Sequence, residues 1–388
     1  MTERNLIEPD VEFTKQIIKN GGNSLKKCFQ CATCSVVCNI SPNEKPFPRK
    51  EMIAAQWGQK EDLLGSPDIW LCHQCSDCSA YCPRGAKPGD VIAAIRKSAI
   101  QFFSAPLFMG RLIGEPKNLP ILFIIPIVLL LVYLSIIGHL NIPEGEVEYA
   151  KFFPHLELII FFTTLTLISF IGMIIGLVRF WIAMDKRNKK LNPKTVIPKG
   201  DILTAFIATI VEIFPHKKFK DCKENDYRYL GHLAIFYSFI GLLIVTAIAF
   251  LYTILDHYHV FQNNLYPLHL FDPVKIVGNI SALFLFIGCT YVIYKRSTSE
   301  KNLKSTYFDW FFLIVLYLVT ITGILTEIVR YMSIYGHMDV ANIAYPIYFI
   351  HLIFVFNLLI YFPYSKFAHV FYRTIAIFYD KFTRQYKS

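Results

Sequence analysis

Charged residues are scarce in this sequence, at 18% of its 388 residues against 54% hydrophobic residues. Soluble globular domains carry about 25% charged residues, so the composition excludes an ordinary soluble protein. The sequence also lacks internal repeats and low-complexity tracts, so neither a repeat protein nor a low-complexity scaffold is indicated. No segment is typical of a cleavable signal peptide, which disfavours a secreted disulfide scaffold.

Almost all of the hydrophobic excess follows residue 117. A membrane core of about 30 Å requires roughly 20 apolar residues in a helix. Six stretches meet this length: 119–140, 156–181, 230–255, 274–294, 308–329 and 342–363. We expect the last span to continue beyond Pro363 as one longer helix. The apolar segment 202–214 is too short to span, and we expect it to lie along the membrane surface or to pack under the bundle.

Lysine and arginine are concentrated on one side of these predicted spans. The rich segments are 179–228, 295–304 and the tail after residue 365. The other three connections carry only Lys151 and Arg330. The positive-inside rule therefore predicts a multi-pass protein of the inner (cytoplasmic) membrane with both termini in the cytoplasm. Because this topology explains the net charge of +10, we predict no nucleic-acid partner.

Eight of the ten cysteines form two copies of C-x2-C-x2-C-x3-C within the first 82 residues. In two-cluster ferredoxins the fourth cysteine of each such run binds the other cluster. We therefore predict two 4Fe–4S clusters with crossed ligands. One is bound by Cys28, Cys31, Cys34 and Cys82, and the other by Cys72, Cys75, Cys78 and Cys38. A zinc scaffold is disfavoured because zinc sites use pairs of cysteines.

Three histidines lie in or beside the predicted spans, where an ionisable side chain is costly and indicates function. His351 and His369 are 18 residues apart, so on one continuous helix they share a face and stand about 27 Å apart. This arrangement suits two stacked b-type haems, with His232 and His369 as the cytoplasmic-side pair. The second ligand opposite His351 is open, with His257 as the candidate. The alternative is that these histidines are helix-interface or headgroup-level residues.

Two charged residues lie near the outer end of the fifth predicted span. Glu327 and Arg330 are three residues apart, so they share a helix face and can pair. Charges within a membrane often mark proton or substrate paths, so we predict a quinone site at these two residues. A structural ion pair at headgroup level is the alternative.

The soluble part is predicted to be helical, because 39–71 has helical apolar spacing and a helix capped by Asp90 is expected after Pro83. The predicted fold is all-α, an N-terminal α-helical ferredoxin domain followed by a six-helix transmembrane cytochrome b bundle. The predicted boundaries are 1–100 for the ferredoxin domain, 101–118 for an interfacial linker, 119–372 for the haem b domain and 373–388 for a cytoplasmic tail.

These residues resemble known families. Residues 24–100 look like the C subunit of heterodisulfide reductase, whose fold is an α-helical ferredoxin. The membrane part resembles the cytochrome b subunit of respiratory nitrate reductase and the heterodisulfide reductase E subunit. FPYSKFAH at 362–369 matches the segment with the last haem ligand of that family, and His351 and His232 match two others. The remaining ligand would fall at Leu242, which cannot bind iron, so the resemblance implies one or two haems.

The fusion of the two modules is similar to the membrane C subunits of quinone-interacting oxidoreductase complexes (Qmo). That resemblance implies heterodisulfide reductase A-like flavoprotein partners, exchange with the menaquinone pool, and a link to adenylylsulfate reductase in sulfur metabolism. No Cys-Cys-Gly motif is present, which disfavours a catalytic heterodisulfide reductase subunit. Two alternatives remain, a menaquinol-linked enzyme acting on a thiol or disulfide carrier, and a non-enzymatic membrane ferredoxin for assembly or sensing.

Overall fold

The computed structural model describes residues 8–191, 201–219, 227–260, 268–298 and 305–384. Within these ranges the chain is all-α, with no strand, which confirms the predicted fold class. The N-terminal part contains eight helices: α1 (Val11–Lys19), α2 (Thr33–Val36), α3 (Arg49–Gln56), α4 (Lys60–Leu64), α5 (Asp68–Leu71), α6 (Asp77–Ala80), α7 (Pro88–Phe103) and α8 (Leu107–Gly114). The rest of the described chain contains α9 (Leu119–Ile136), α10 (Tyr149–Phe152), α11 (His155–Leu191), α12 (Ile202–Ile213), α13 (Tyr227–His257), α14 (Pro273–Thr298), α15 (Tyr307–Ile334), α16 (Ala341–Ile360) and α17 (His369–Arg384).

Six of these helices are long and apolar enough to cross a membrane, namely α9, α11, α13, α14, α15 and α16. They correspond to the six predicted spans. The apolar helix α12 is too short to span, as expected, and packs against α17. The chain is therefore a multi-pass membrane protein with a helical ferredoxin-like part at its N-terminus.

The first residues of helix α7 differ from the sequence prediction. Its N-cap is Lys87, in the left-handed region with φ of 42°, and Pro88 occupies the first turn. Proline is favoured there because its fixed φ suits a helix start and its missing N–H is not needed. Asp90 is thus inside the first turn, where its charge suits the helix dipole, and the prediction that it caps the helix is wrong.

The last predicted helix is broken. α16 ends at Ile360, and two short 3-10 turns at Phe362–Tyr364 and Lys366–Ala368 precede α17. Proline cannot supply the N–H that a continuing helix requires, and the Ser365 side chain accepts the N–H of Phe367 at 3.2 Å. The prediction of one continuous helix is wrong. The shared face and the spacing inferred for His351 and His369 do not apply, because the two residues lie on different helices.

An aromatic layer joins the ferredoxin part to the membrane bundle. The rings of Trp70 and Tyr372 stack with centroids 5.1 Å apart, and Phe180 of α11 contacts both. Gly172 and Gly176 of α11 permit this approach, since a Cβ at Gly172 would clash with the carbonyl oxygen of Ala105. Most of the buried hydrophobic residues of both parts form one continuous core, and smaller separate clusters lie around Leu285 and Val329. α17, which crosses the predicted boundary at residue 372, belongs to this junction.

Candidate iron-sulfur and haem sites

The two cysteine loops adopt the same backbone conformation. The second and fourth residues after the first cysteine have positive φ in both loops: Gln30 (58°), Ala32 (71°), Gln74 (53°) and Ser76 (74°). Alternation of right- and left-handed residues turns successive N–H groups to one side, a geometry found at many Fe–S sites. In each loop the N–H of the second residue points to the first cysteine sulfur, at 3.4 Å in the first loop and 3.3 Å in the second. Both loops are therefore shaped to enclose a cluster.

The first cavity collects thiols from both cysteine runs. It is lined by Cys28, Cys31, Cys34 and Cys82. Burial, followed by the neighbouring thiols of Cys28 and Cys82, raises the pKa of Cys34 to about 11. The Sγ of Cys82 also accepts the N–H of Ala86 at 3.3 Å. The structure thus brings the fourth cysteine of the second run to the first loop.

In the same way, Cys38, the fourth cysteine of the first run, lies near the thiols of the second loop. Burial raises the pKa of Cys38 to about 12, with a further contribution from the nearby thiol of Cys72. Cys78 lies close to Cys72, Cys75 and Cys38. No group of three or more His, Cys, Asp or Glu side chains in the described ranges converges on a point suited to a single metal ion. Thiols arranged around a volume suit a cubane cluster, in which each thiolate binds a different iron.

Three arginines hold the second loop from outside. Arg96 of α7 donates to the carbonyl oxygens of Ile69 and Cys72. Arg228 of α13 donates to the carbonyl of Gln74, and Arg373 of α17 donates to the His73 ring. Net charge and hydrogen bonding set the reduction potential of an Fe–S cluster. Arg228 and Arg373 therefore attach the loop to the C-terminal helices, Arg96 holds it from within the N-terminal part, and all three place positive charge beside it.

Four histidines line one cavity below this loop, which we call the histidine cavity: His73, His216, His232 and His369. Its wall also includes Phe219, whose ring centroid lies 5.2 Å from that of His73, and the basic residues Arg373 and Lys218. His232 and His369, predicted as a pair, therefore share a cavity. His73 and His216 were not predicted. The available signal for His73 was its position directly after Cys72.

His232 and His369, the predicted haem ligands of this cavity, are both largely enclosed by it. The Nδ1 of His369 lies 2.6 Å from the carbonyl oxygen of Lys366, and burial lowers the pKa of His369 to about 3. The ring is therefore neutral, with Nδ1 donating and Nε2 available, as in metal-binding histidines oriented by a backbone carbonyl. The Nδ1 of His232 is buried without a hydrogen-bond partner. A buried, unsatisfied imidazole is costly unless a bound group completes the site.

His351, like His369, has its Nδ1 atom in contact with an oxygen atom. Its Nδ1 lies 3.0 Å from the Oγ1 of Thr322, which itself donates to the carbonyl of Leu318 at 2.6 Å. The Thr322 oxygen is therefore placed to accept a proton from Nδ1. Gly323 permits the close approach of this ring, because a Cβ there would lie only 3.1 Å from Cε1 of His351. His257 is exposed at the end of α13 with its ring against Tyr258, so the structure does not bring it to His351.

The predicted charge pair at the outer end of α15 is replaced by another. Glu327 pairs with Lys275 of α14 at 3.3 Å and accepts the side-chain N–H of Asn279 at 3.0 Å. Within the described part of the chain, Arg330 forms no ion pair with Glu327. The predicted pairing of Glu327 with Arg330 is wrong. Helical spacing reports only on residues of the same helix, whereas the partner of Glu327, Lys275, comes from the neighbouring helix α14.

Residues 24–86 match the family described as "4Fe-4S dicluster domain". The N-terminal part is a 4Fe–4S dicluster domain. This chain is 37% identical over 109 residues to the C subunit of the H(2):CoB-CoM heterodisulfide,ferredoxin reductase of Methanothermobacter marburgensis, a match covering 27% of this chain and 58% of the relative. It is 30% identical over 98 residues to a protein of Archaeoglobus profundus named as similar to the heterodisulfide reductase C subunit, covering 25% of this chain and 52% of the relative.

The chain therefore spans little more than half the length of these curated relatives. A longer match is to the citrate utilization protein B of Escherichia coli, 25% identical over 391 residues, covering 96% of this chain and 92% of the relative. No solved structure matches. The N-terminal part of the chain is thus an iron–sulfur domain similar to heterodisulfide reductase C subunits, which are named as components of reductases.

Proposed function

We propose that the chain is the membrane subunit of a quinone-linked oxidoreductase complex. It would exchange electrons between menaquinone and soluble flavoprotein or iron–sulfur partners through haem b and two 4Fe–4S clusters. The observation that carries this proposal is the wall of the histidine cavity. His73 follows Cys72 directly in the chain, and it lines the same cavity as His232 and His369. A haem bound by that histidine pair would share its cavity with a side chain of the second cysteine loop.

The exposure of the cysteines supports an order along the electron path. Cys31 of the first loop is exposed, and the nearby Phe29 and Tyr81 are also exposed. Cys72 and Cys78 of the second loop are buried beside the membrane bundle. Soluble partners would therefore exchange electrons with the first cluster, and the second cluster would connect it to the membrane. The crossed cysteine ligation is part of this proposal.

Residues of this chain would hold the haem and prepare it for one-electron transfer. His369 is oriented by the carbonyl of Lys366, and His232 approaches from α13. The guanidinium group of Arg373 in the cavity wall suits a carboxylate of a haem, whereas Lys218 is already paired with Glu212 at 2.7 Å. The bound haem would supply a one-electron carrier between the second cluster and the quinone. His351 is the proposed ligand of a second haem nearer the outer side.

Quinol oxidation also releases two protons, and the outer end of α14 and α15 offers one carboxylate, Glu327, that can accept them one at a time if it passes the first on to water before the second leaves. Glu327 is held by Lys275 and Asn279 and remains partly exposed. A carboxylate in this position can take a proton from a quinol hydroxyl, while the lysine balances its charge. We place the menaquinone site at this group of residues and keep Arg330 as a neighbouring cation of the site.

The finer identity of the complex is also a proposal. The likeness to heterodisulfide reductase C subunits supports a flavoprotein of the heterodisulfide reductase A type as partner. We further propose that the complex is Qmo-like and serves adenylylsulfate reductase. The nearly full-length likeness to citrate utilization protein B favours a second candidate, in which the same electron path serves citrate utilization. Co-purification from native membranes, with the partners identified, separates the two.

Reduction of the purified protein by a menaquinol analogue tests the core of the proposal. Optical spectra should show a b-type haem, and electron paramagnetic resonance should show reduction of two 4Fe–4S clusters in the same preparation. His232→Ala and His369→Ala should each abolish the same low-spin haem, because a haem with two imidazole ligands depends on both. His269→Ala, at an exposed histidine, is the matched control. Protein purified from native membranes without a b-type haem would contradict the proposal.

A further inference from the structure

A large cavity opens where the ferredoxin part meets the cytoplasmic end of α11. Its volume is about 640 Å³, and α1, α4, α7 and α8 form its other walls. We call it the junction groove. Eight charged residues line it, of which six are basic (Lys60, Arg111, Arg179, Lys186, Arg187 and Lys190) and two are acidic (Glu61 and Asp62). This excess of positive charge is large for a groove of this size.

The acidic residues of the groove are already paired. Glu61 binds Lys186 at 3.1 Å, and Asp62 binds Lys190 at 3.2 Å. A carboxylate outside the set, that of Asp10, lies 3.5 Å from Lys60. All three lysines are therefore neutralised within the protein, so the excess charge belongs to the arginines.

The three arginines have few partners for their N–H groups. Arg111 is exposed and forms no hydrogen bond or ion pair with a described residue, and Arg179 donates one N–H to the carbonyl of Ser104 at 3.1 Å. The Nε of Arg187 is buried without a hydrogen-bond partner. A guanidinium group offers five donors in a planar fork that matches phosphate or carboxylate oxygens. The groove therefore suits an anion with several oxygen acceptors.

The lower edge of the groove is apolar and lies at the membrane surface. Phe102, Leu107 and Ile182 line it with 46%, 49% and 59% of their surfaces exposed. Ile182 is three residues beyond Arg179 on α11, so the two lie on one face of this membrane-spanning helix. A free phosphate ion would satisfy the arginines and leave the apolar edge uncovered. A molecule with an anionic head and hydrocarbon chains satisfies both.

We propose that the junction groove binds an anionic phospholipid of the cytoplasmic leaflet. Its phosphate would lie against Arg111 and Arg179, and its acyl chains would follow Leu107 and Ile182 into the bilayer. Basic pockets on the cytoplasmic side of helix bundles are a recurrent geometry for anionic headgroups. The lipid would fix the ferredoxin part against the membrane surface. This inference is independent of the haem, the quinone and the soluble partner.

Native mass spectrometry of the full-length protein, released from nanodiscs of phosphatidylcholine with a minor fraction of cardiolipin, tests the proposal. The protein should retain cardiolipin preferentially. Arg111→Gln/Arg179→Gln should lower that preference at least about tenfold, or ~1.4 kcal/mol. Lys189→Gln is the matched control, because Lys189 lies on the same helix outside the groove and pairs with Asp185 at 2.7 Å. Iron content reports whether each variant has folded.

Three outcomes would overturn the proposal. The first is equal retention of cardiolipin and phosphatidylcholine by the unmodified protein. The second is unchanged preference in the double arginine variant with full iron content. The third is displacement of the lipid by inorganic phosphate, which would show a simple ion site. If the double variant fails to fold, Leu107→Asp at the apolar edge provides the second test, since it should weaken retention without changing the arginines.

Discussion

Asp309 holds the segment that positions the proposed haem ligand His369. It accepts the N–H and the hydroxyl of Thr306, each at 2.8 Å, and it pairs with Lys366. The carbonyl of Lys366 in turn orients His369. We predict that Asp309→Ala releases Lys366, loosens the turn before α17 and lowers the haem content of the purified protein.

The size of the effect follows from two losses. Loss of the Asp309 half of the capping box with Thr306 at the start of α15 costs about 1 kcal/mol. Removal of one partner of a buried ion pair costs about 3–5 kcal/mol. The Asp309 side chain is 7% exposed and that of Lys366 is 25% exposed, so water reaches the lysine and the lower end applies. We expect a destabilisation of about 4 kcal/mol.

The assay is thermal loss of the haem absorbance in detergent, together with haem content per protein. Asp309→Asn/Lys366→Met is the informative control, because it removes both charges and keeps an acceptor for Thr306. Replacement of a buried ion pair by uncharged groups is often neutral, so this double variant should recover most of the stability and the haem. Full haem content and unchanged thermal stability in Asp309→Ala would refute the reasoning.

Three further predictions concern the electron path. Cys38→Ser should damage the cluster of the second loop and Cys82→Ser that of the first, and electron paramagnetic resonance would show which signal is lost. Loss, in each variant, of the cluster bound by the cysteine run that carries the substitution would contradict the crossed ligation. His73→Phe should keep both clusters and the haem but slow electron exchange between them, measured by stopped-flow absorbance, and an unchanged rate would remove His73 from the path. Glu327→Gln should slow haem reduction by a menaquinol analogue and leave dithionite reduction intact, while equal quinol rates would assign Glu327 a structural role.

Local features of the chain were predictable because they depend on neighbouring residues. The spacing of Cys28, Cys31 and Cys34 constrains one loop, and long apolar runs identify the six helices in the structure. Features that depend on two distant segments were harder to predict. The sequence predicted that Glu327 pairs within its own helix, whereas Lys275 approaches from α14. It also predicted a continuous last helix, because the apolar residues on both sides of Pro363 outweighed the proline.

The histidine cavity was predictable in part and unpredictable in part. His232 and His369 were predicted to pair, and the structure places both in one cavity although the helix geometry behind that prediction was wrong. His73 and His216 enter the same cavity from segments far apart in the chain. Residue spacing in the sequence does not predict that these four histidines line one cavity. Their proximity depends on how α12 and α17 pack beneath the ferredoxin part.

The close contact of Gly172 and Gly176 with the backbone of the ferredoxin part has a consequence for how this protein meets its partners. A cluster domain on a flexible tether can travel between donor and acceptor, and its rate then depends on diffusion of that domain. Here the two parts share one buried core, so the distances between the proposed carriers would be fixed when the chain folds. A soluble partner of the proposed kind would therefore have to come to the membrane surface, and the lifetime of that encounter, rather than movement within this chain, would set the rate of electron exchange.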